Sequence, residues 1–219
     1  MNKIKLYTYY RSSAAYRVRI ALNLKGLSYQ PECIHLLKNN GENNSEEYRK
    51  LNPQGLIPTL VDHGIVINQS LAIIEYLEEC YPTPSLLPLS PEWRARVRAF
   101  AQMICCDIHP LNNLRVLDYL KQEMEQDEAA RMAWYRHWIA EGLMALERTL
   151  ITTSPHTPFC FGDEPGMADA CLIPQLYNAK RFECDIAPYP TLRKIYDNCM
   201  KLKPFLKAAP ESQPDYEQT

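Results

Sequence analysis

Two spacings of apolar residues divide the chain. In roughly the first eighty positions, short β-rich runs alternate with helical stripes. Ile4 to Tyr9 predicts a strand. From Ser13 to Lys25, Val18, Ala21 and Leu22 share one helical face, and Gly26 follows as a stop. Tyr29 to Leu36 predicts a second strand, and Ser45 to Leu51 a short helix. Thr59 to Asp62 and Ile65 to Ile67 flank His63-Gly64, which reads as a tight hairpin. Ser70 to Cys80 predicts a strong helix, with Leu71, Ile74 and Leu77 on one stripe and Pro82 beyond its end. Strand, helix and strand in that order make a right-handed parallel unit.

The order β-α-β-α-β-β-α predicts a thioredoxin-like α/β domain over residues 1–82. A proline cluster holding Pro82, Pro84, Pro88 and Pro91 breaks the pattern, so 83–90 reads as a linker. Residues 91–219 predict an all-α domain. Glu92 to about Glu125 is either two helices or one bent at Pro110. Glu128 to Leu150 is periodic, with Trp134, Trp138 and Leu146 as expected anchors. Met167 to Ala179 carries Asp169 in its first turn, and Pro174 inside it predicts a kink. A last helix is expected from Thr191 to Leu206, with a loose polar tail from Pro210.

Composition narrows the function classes. The formal net charge of -2 over 219 residues gives no electrostatic case for nucleic acid or an anionic membrane as partner. No apolar run approaches the ~20 residues of a membrane helix. The start, MNKIKLYTYYRSS, lacks the apolar stretch of a signal peptide. The 8 cysteines form no C-x-x-C pair and no zinc spacing with histidine, so they read as reduced thiols of a cytoplasmic protein, with no metal site.

Three segments carry candidate chemistry. In Arg11-Ser12-Ser13-Ala14-Ala15-Tyr16-Arg17, two serines stand where a strand hands over to a helix. A helix start favours an anion, and a hydroxyl there can donate to a thiolate; a plain N-cap explains the same residues. In Asn52-Pro53-Gln54-Gly55-Leu56-Ile57-Pro58-Thr59, a cis Ile57-Pro58 bond would turn the Ile57 backbone groups toward an extended peptide, whereas a trans bond makes an ordinary loop. Gln69 and Ser70 open the Ser70 helix, where they can hold a carboxylate or simply cap. Of the arginines, Arg11, Arg115 and Arg181 are candidates for a carboxylate, because the guanidinium fork binds it bidentately.

Taken together and in order, SSAAYRVRIALNLKGL, the NP…IPTL segment, QSLAIIEYLEE, DIHPLNNLRVLDYL and MADACLIPQLYNAKRF resemble the zeta-class glutathione transferases over nearly the whole chain. The resemblance implies an α+β two-domain glutathione transferase fold, a homodimer, and glutathione as cofactor. It implies that Ser12 contacts the glutathione sulfur beside Ser13 and Ala14, with Arg17 closing the same loop, and Ser12, Ser13 and Arg17 as the catalytic group. Ile57 would pair with the cysteinyl backbone, Gln69 and Ser70 would grip the γ-glutamyl carboxylate, and Asn43 would meet the glycyl end. His109, Asn113 and Arg115 would line the helical side of the cofactor site. Arg181 would receive a carboxylate of a dicarboxylate-type substrate, with Arg11 a second candidate.

The implied activity is glutathione-dependent cis–trans isomerisation of maleylacetoacetate in tyrosine and phenylalanine catabolism. Alternatives are the same chemistry on maleylpyruvate, a broader glutathione transferase activity, or a non-catalytic binding module on this fold. Three positions depart from the class. Ala14 stands where many members carry cysteine, His109 where some carry glutamine, and Gly166 where Thr or Ser is usual before Met167-Ala168-Asp169.

Overall fold

The computed structural model describes residues 4–154 and 156–217, apart from the side chain of Asn40. In chain order the principal elements are β1 (Ile4–Thr8), α1 (Ser13–Leu24), β2 (Tyr29–Cys33), α2 (Glu46–Leu51), β3 (Thr59–Asp62), β4 (Ile65–Asn68), α3 (Ser70–Cys80), α4 (Pro91–Gln102), α5 (Leu114–Gln122), α6 (Glu128–Thr153), α7 (Met167–Arg181), α8 (Pro190–Cys199) and α9 (Lys203–Ala208). They form two compact units, Met1–Leu87 with Met200–Thr219, and Pro88–Cys199.

The first unit is built on a four-stranded sheet in the order β2-β1-β3-β4. β1 runs parallel to β2 and antiparallel to β3, with Leu6 opposite Leu60 and both fully buried. Asp62 and Ile65 close the β3–β4 hairpin across His63 and Gly64, at φ 50° and 83°. Two successive left-handed residues are what a two-residue type I′ turn requires, and Gly64 takes the second without steric cost. α1 is buried along nearly its whole length, from Ser13 through Leu22.

The unit boundary differs from the sequence-based expectation of 91–219 as one domain. The expected last helix is two, α8 and α9, and α9 with the tail belongs to the first unit. Its attachment is polar as well as apolar. Arg19 Nε donates to Ala208 O at 2.9 Å, Asn23 Nδ2 to Pro204 O at 2.9 Å, and Tyr10 N–H to Asp215 Oδ2 at 2.9 Å. Gln213 Nε2 donates to both Lys207 O and Ala209 O at 2.9 Å, so the segment after Pro210 is held rather than loose. Composition alone does not reveal the partners in α1 and the β1–α1 loop, because they lie some two hundred residues away.

The second unit is helical. Between α4 and α5 the chain passes through a π-helical turn, Met103–Ile108, and a 3₁₀ turn, His109–Asn112, so Pro110 falls at a helix junction. α6 buries Tyr135, Ile139, Leu143, Leu146 and Leu150 on one stripe, while Trp134 and Trp138 are only half-buried. The tryptophans are therefore flanking packers rather than the central anchors. Glu147 of α6 accepts the N–H groups of Thr191 (2.9 Å) and Leu192 (3.0 Å) and so caps α8. α7 runs unbroken through Pro174. Gly166 has no side chain with which to cap α7, but Asp169 accepts the N–H groups of Gly166 and Cys160, each at 2.9 Å. That half of a capping box survives the glycine. Among the described residues no helix is long and apolar enough to cross a membrane, and no cluster could hold a metal ion.

One buried ion pair closes the end of α3. Lys25, its side chain wholly buried, donates to Glu78 Oε2 at 2.7 Å, to Tyr81 O at 2.8 Å and to Pro84 O at 2.9 Å. Burial alone would raise the Glu78 carboxyl, but hydrogen bonds from Lys25, Ser85 and the Leu86 N–H outweigh it and hold the pKa below the ordinary value. The folded pKa thus lies under the unfolded one. The stabilisation is complete above the unfolded pKa of about 4.3 and disappears as pH falls through the folded value. Glu78→Gln leaves the Lys25 charge buried without its counter-ion, an expected loss of about 3–5 kcal/mol at neutral pH. Urea denaturation would show it as a lower midpoint, and the wild-type decline in stability below about pH 5 should be smaller in the variant. Equal midpoints would mean that the pair contributes nothing net.

Candidate active site

The candidate site of the first unit begins where β1 hands over to α1. The loop is pinned from behind. Arg19, fully buried, donates to Thr8 Oγ1 at 3.0 Å, Tyr9 O at 3.2 Å and Tyr10 O at 2.9 Å. Ser12 N–H donates to Tyr9 O at 3.0 Å, which seats Ser12 as the N-cap of α1. Ser12 Oγ accepts the Ala15 N–H at 3.2 Å. That contact uses one lone pair and leaves the hydroxyl proton available, so capping and donation are compatible roles of one group. Ser13 and Ala14 follow on the first turn, both buried. Arg11 is partly exposed, with its guanidinium 5.4 Å from the Tyr10 ring centroid and 5.9 Å from that of Tyr9, and Nη2 donates to the Tyr9 hydroxyl at 3.3 Å.

Ile57 lies before β3, 8% exposed, and the Ile57-Pro58 bond is cis. The residue before it is fixed by side chains. Leu56 O accepts from the Tyr48 hydroxyl at 2.8 Å and from Asn52 Nδ2 at 2.7 Å. Among the described residues no hydrogen bond occupies the Ile57 N–H or C=O. Asn43 donates from Nδ2 to Gly55 O at 2.8 Å, and among the described residues its buried Oδ1 has no partner. Gly55, at φ 64°, is approached to 3.1 Å by Asn43 O where a Cβ would stand, so this turn requires glycine.

At the head of α3, Gln69 adopts φ 71° and donates from Nε2 to Gln54 Oε1 at 2.7 Å. Ser70 is the first residue of the helix and is buried. Its Oγ accepts from Arg17 Nη1 at 3.4 Å. Arg17 itself is 1% exposed, so it stands behind Ser70 and offers no surface to a ligand. Gln54, Tyr48, Asn52 and Arg19 are supporting residues that sequence reasoning did not single out. Only their partners reveal them, and every partner is a backbone carbonyl or another uncharged polar group.

In the helical unit, His109 opens the 3₁₀ turn before α5, and Asn113 caps α5 by accepting the Arg115 N–H at 3.2 Å. Arg115 is exposed on the first turn. Arg181 ends α7, with its guanidinium 4.5 Å from the centroid of the Phe182 ring. That ring lies 4.1 Å from the ring of Tyr135, whose hydroxyl donates to Asn178. Burial pushes the Tyr135 hydroxyl well above its ordinary value. A cavity of about 420 Å³ at this end of α7 is lined by Lys180, Cys184, Arg193 and Tyr196, with Asp185, Ile186, Ala187 and Asp197; Arg181 does not line it.

Comparison with known proteins is consistent along the whole chain. A family model described as glutathione S-transferase, N-terminal domain, matches residues 11–80. A probable maleylacetoacetate isomerase of Vibrio cholerae is 48% identical over 215 residues, covering 98% of this chain and 99% of that protein. The holo structure of a bacterial zeta-class maleyl pyruvate isomerase superposes with a TM-score of 0.93 at 46% identity, covering 97% of this chain and 100% of that one. A maleylacetoacetate isomerase of Methylobacterium extorquens, solved with malonate and glutathione, gives a TM-score of 0.93 at 37% identity, covering 98% and 100%. With close relatives matching essentially end to end, and with the α1 start, the loop before β3 and the α3 head all in place, this chain belongs to the zeta class of the glutathione S-transferase family.

Proposed function

We propose that this chain catalyses the glutathione-dependent cis–trans isomerisation of maleylacetoacetate to fumarylacetoacetate, in tyrosine and phenylalanine catabolism, as a cytoplasmic homodimer. One observation carries the reading: the Ser12 hydroxyl caps α1 through a lone pair and keeps its proton to give. The polar groups of the first unit fit glutathione, which offers a thiol, a peptide backbone and two carboxylates. Ser12 would meet the sulfur, beside Ser13 and Ala14. The Ile57 N–H and C=O would pair with the cysteinyl backbone. Gln69 and Ser70, at the start of α3, would hold the γ-glutamyl carboxylate. Asn43, engaged by Gly55, would support the loop near the glycyl end.

When bound, glutathione supplies a thiolate that adds reversibly to the conjugated double bond and opens it to rotation. The task of the protein is to keep that sulfur ionised and to hold the substrate. A free thiol has a pKa of ~8.5. A charge-assisted hydrogen bond from Ser12 contributes about 1.5–3 kcal/mol, and the start of α1 up to about 2 kcal/mol. At about 1.36 kcal/mol per unit, the two together lower the pKa by roughly 1 to 4 units, and a fall of about 2 or more makes the thiolate dominant near neutral pH. Ala14 provides neither proton nor thiol, so Ser12 bears this role.

On the helical unit, Arg181 would receive a substrate carboxylate. It is exposed, and its seat against Phe182 limits the freedom of its fork. His109, Asn113 and Arg115 would complete the helical side, with Arg11 a second carboxylate partner. Maleylpyruvate is the alternative substrate, favoured by the 46% identity to the zeta-class maleyl pyruvate isomerase.

Steady-state isomerisation of both substrates, with and without glutathione, tests the reading. Turnover of neither in the presence of glutathione would refute it, and preference for maleylpyruvate would move it to the second substrate. Ser12→Ala is expected to lower kcat about tenfold to a hundredfold while losing only about 1 kcal/mol of capping, so circular dichroism should be unchanged. An unaltered kcat would assign the thiolate to another donor. Arg181→Ala is expected to raise the KM for substrate about tenfold and to leave that for glutathione within a factor of two. Equal rises in both would remove Arg181 from the carboxylate role.

A further inference from the structure

Arg17 and Arg19 stand two residues apart on α1, and both are buried, but their surroundings differ sharply. Arg19 donates to Thr8, Tyr9, Tyr10 and Ala208. Among the described residues Arg17 donates only from Nη1, to Ser70 Oγ at 3.4 Å. Among the described residues its Nε and Nη2 are buried without a partner, and no carboxylate pairs with it. A fully desolvated guanidinium without a counter-ion is costly, and α1 could place an aliphatic side chain of similar volume there instead. The charge is therefore retained for something other than stability of the isolated chain.

Ser70 is where that charge can be felt. It is the first residue of α3, an eleven-residue helix whose opening N–H groups have no partner within the helix. Gln69, the N-cap, makes no side-chain capping bond. The start of the helix and the buried guanidinium thus direct positive potential at the same hydroxyl. Because Arg17 Nη1–H donates to Ser70 Oγ, the serine proton must point elsewhere, and the hydroxyl is left as an oriented donor. A charge acting through one polarised hydroxyl in a low-dielectric surround is felt more strongly than across water.

The geometry points to Arg17 as a positioning residue that acts through Ser70 to recognise the α-carboxylate of the γ-glutamyl arm of glutathione. This rests on the glutathione reading above. It assigns Arg17 to the far end of the tripeptide rather than to the sulfur, and as a group that touches no ligand itself. The anion would supply the counter-charge that the chain does not.

Calorimetric titration with glutathione, and with glutathione amidated at that carboxylate, separates this role from a structural one. Wild-type protein is expected to prefer glutathione about tenfold to a hundredfold. Arg17→Met should bind the two ligands almost equally, Ser70→Ala should do the same, and the double variant should be no worse than either. Arg17→Lys should show an intermediate preference. The ligand-free Arg17→Met protein should unfold no earlier than wild type, since an uncompensated charge has been replaced by an apolar chain.

A folded Arg17→Met that keeps the wild-type preference, or weakens both ligands alike, would overturn the proposal. If the methionine variant does not fold, an Arg17→Lys protein with the full wild-type preference overturns it instead. Wild-type protein that binds neither ligand would defeat the glutathione reading itself, whereas wild-type binding indifferent to amidation defeats only the role of Arg17.

Discussion

Arg19 gathers the β1–α1 loop and the start of the C-terminal tail onto a single guanidinium, and the first unit is organised around that contact. Its donors take up the carbonyls of Tyr9 and Tyr10, the Thr8 hydroxyl and the Ala208 carbonyl. The three carbonyls lie in the β1–α1 loop and at the last residue of α9, where no sheet ladder could satisfy them. Burial lowers the Arg19 pKa to about 10, against the raising influence of Tyr29 and Tyr16, so the group stays charged at neutral pH. A rigid fork of five donors suits this task, and a lysine ammonium in its place could not span four acceptors in two separate segments. Ser12 inherits its position from this arrangement, because its N–H is bound to the same Tyr9 carbonyl that Arg19 holds.

Much of the first unit is legible in the sequence because its signals are local. The His63-Gly64 hairpin, the Gly26 stop and the Ser12 cap each depend on backbone conformations or hydrogen bonds within a few residues. The order of strands and helices follows from the spacing of apolar positions. What the sequence hides is long-range. The division of the expected last helix into α8 and α9 reflects Asn23 and Arg19 reaching across to Pro204 and Ala208. On α6, the tryptophans draw attention by size, yet the stripe that packs inward belongs to Tyr135, Ile139 and Leu143, and Trp134 turns its indole N–H to Leu111 O at 2.8 Å. Of the site itself, the residue types at the head of α1 and α3 were readable, whereas the distinction between Arg17 and Arg19 was not. In the RVR run both are simply arginines. Only the direction of each side chain, set by the turn of the helix, separates a satisfied structural cation from an unsatisfied one.

Buried charge is handled in several ways among the described residues. Lys25 and Glu78 neutralise each other and share their remaining hydrogen-bonding capacity with Tyr81, Pro84, Ser85 and Leu86. Asp169, completely buried, has its carboxyl raised by desolvation although backbone N–H groups of Gly166 and Cys160 pull the other way. It serves as a helix cap for α7, where a negative group also complements the helix dipole. Arg17 fits neither pattern. Lys25, Glu78, Asp169 and Arg19 each find a counter-charge or a set of hydrogen-bond partners, whereas among the described residues Arg17 leaves Nε and Nη2 unpaired beside Ser70.

The choice of serine at position 12 follows from the same accounting of donors and acceptors. Any of Ser, Thr, Asp or Asn would cap α1 by accepting the Ala15 N–H. An ionised aspartate would then have no proton to offer and would repel a thiolate. Asparagine could donate, but its amide would have to divide one planar group between the cap and the sulfur. A serine hydroxyl has two lone pairs and one proton on a single atom, so the cap itself restricts the rotor and turns the proton away from the helix. In the proposed glutathione site, the capping contact at 3.2 Å would also aim the donor. Removing the oxygen would abolish the cap and the proposed donor together. The roles can still be told apart, because capping is read in the stability of the ligand-free protein and donation in the ionisation of a bound thiol.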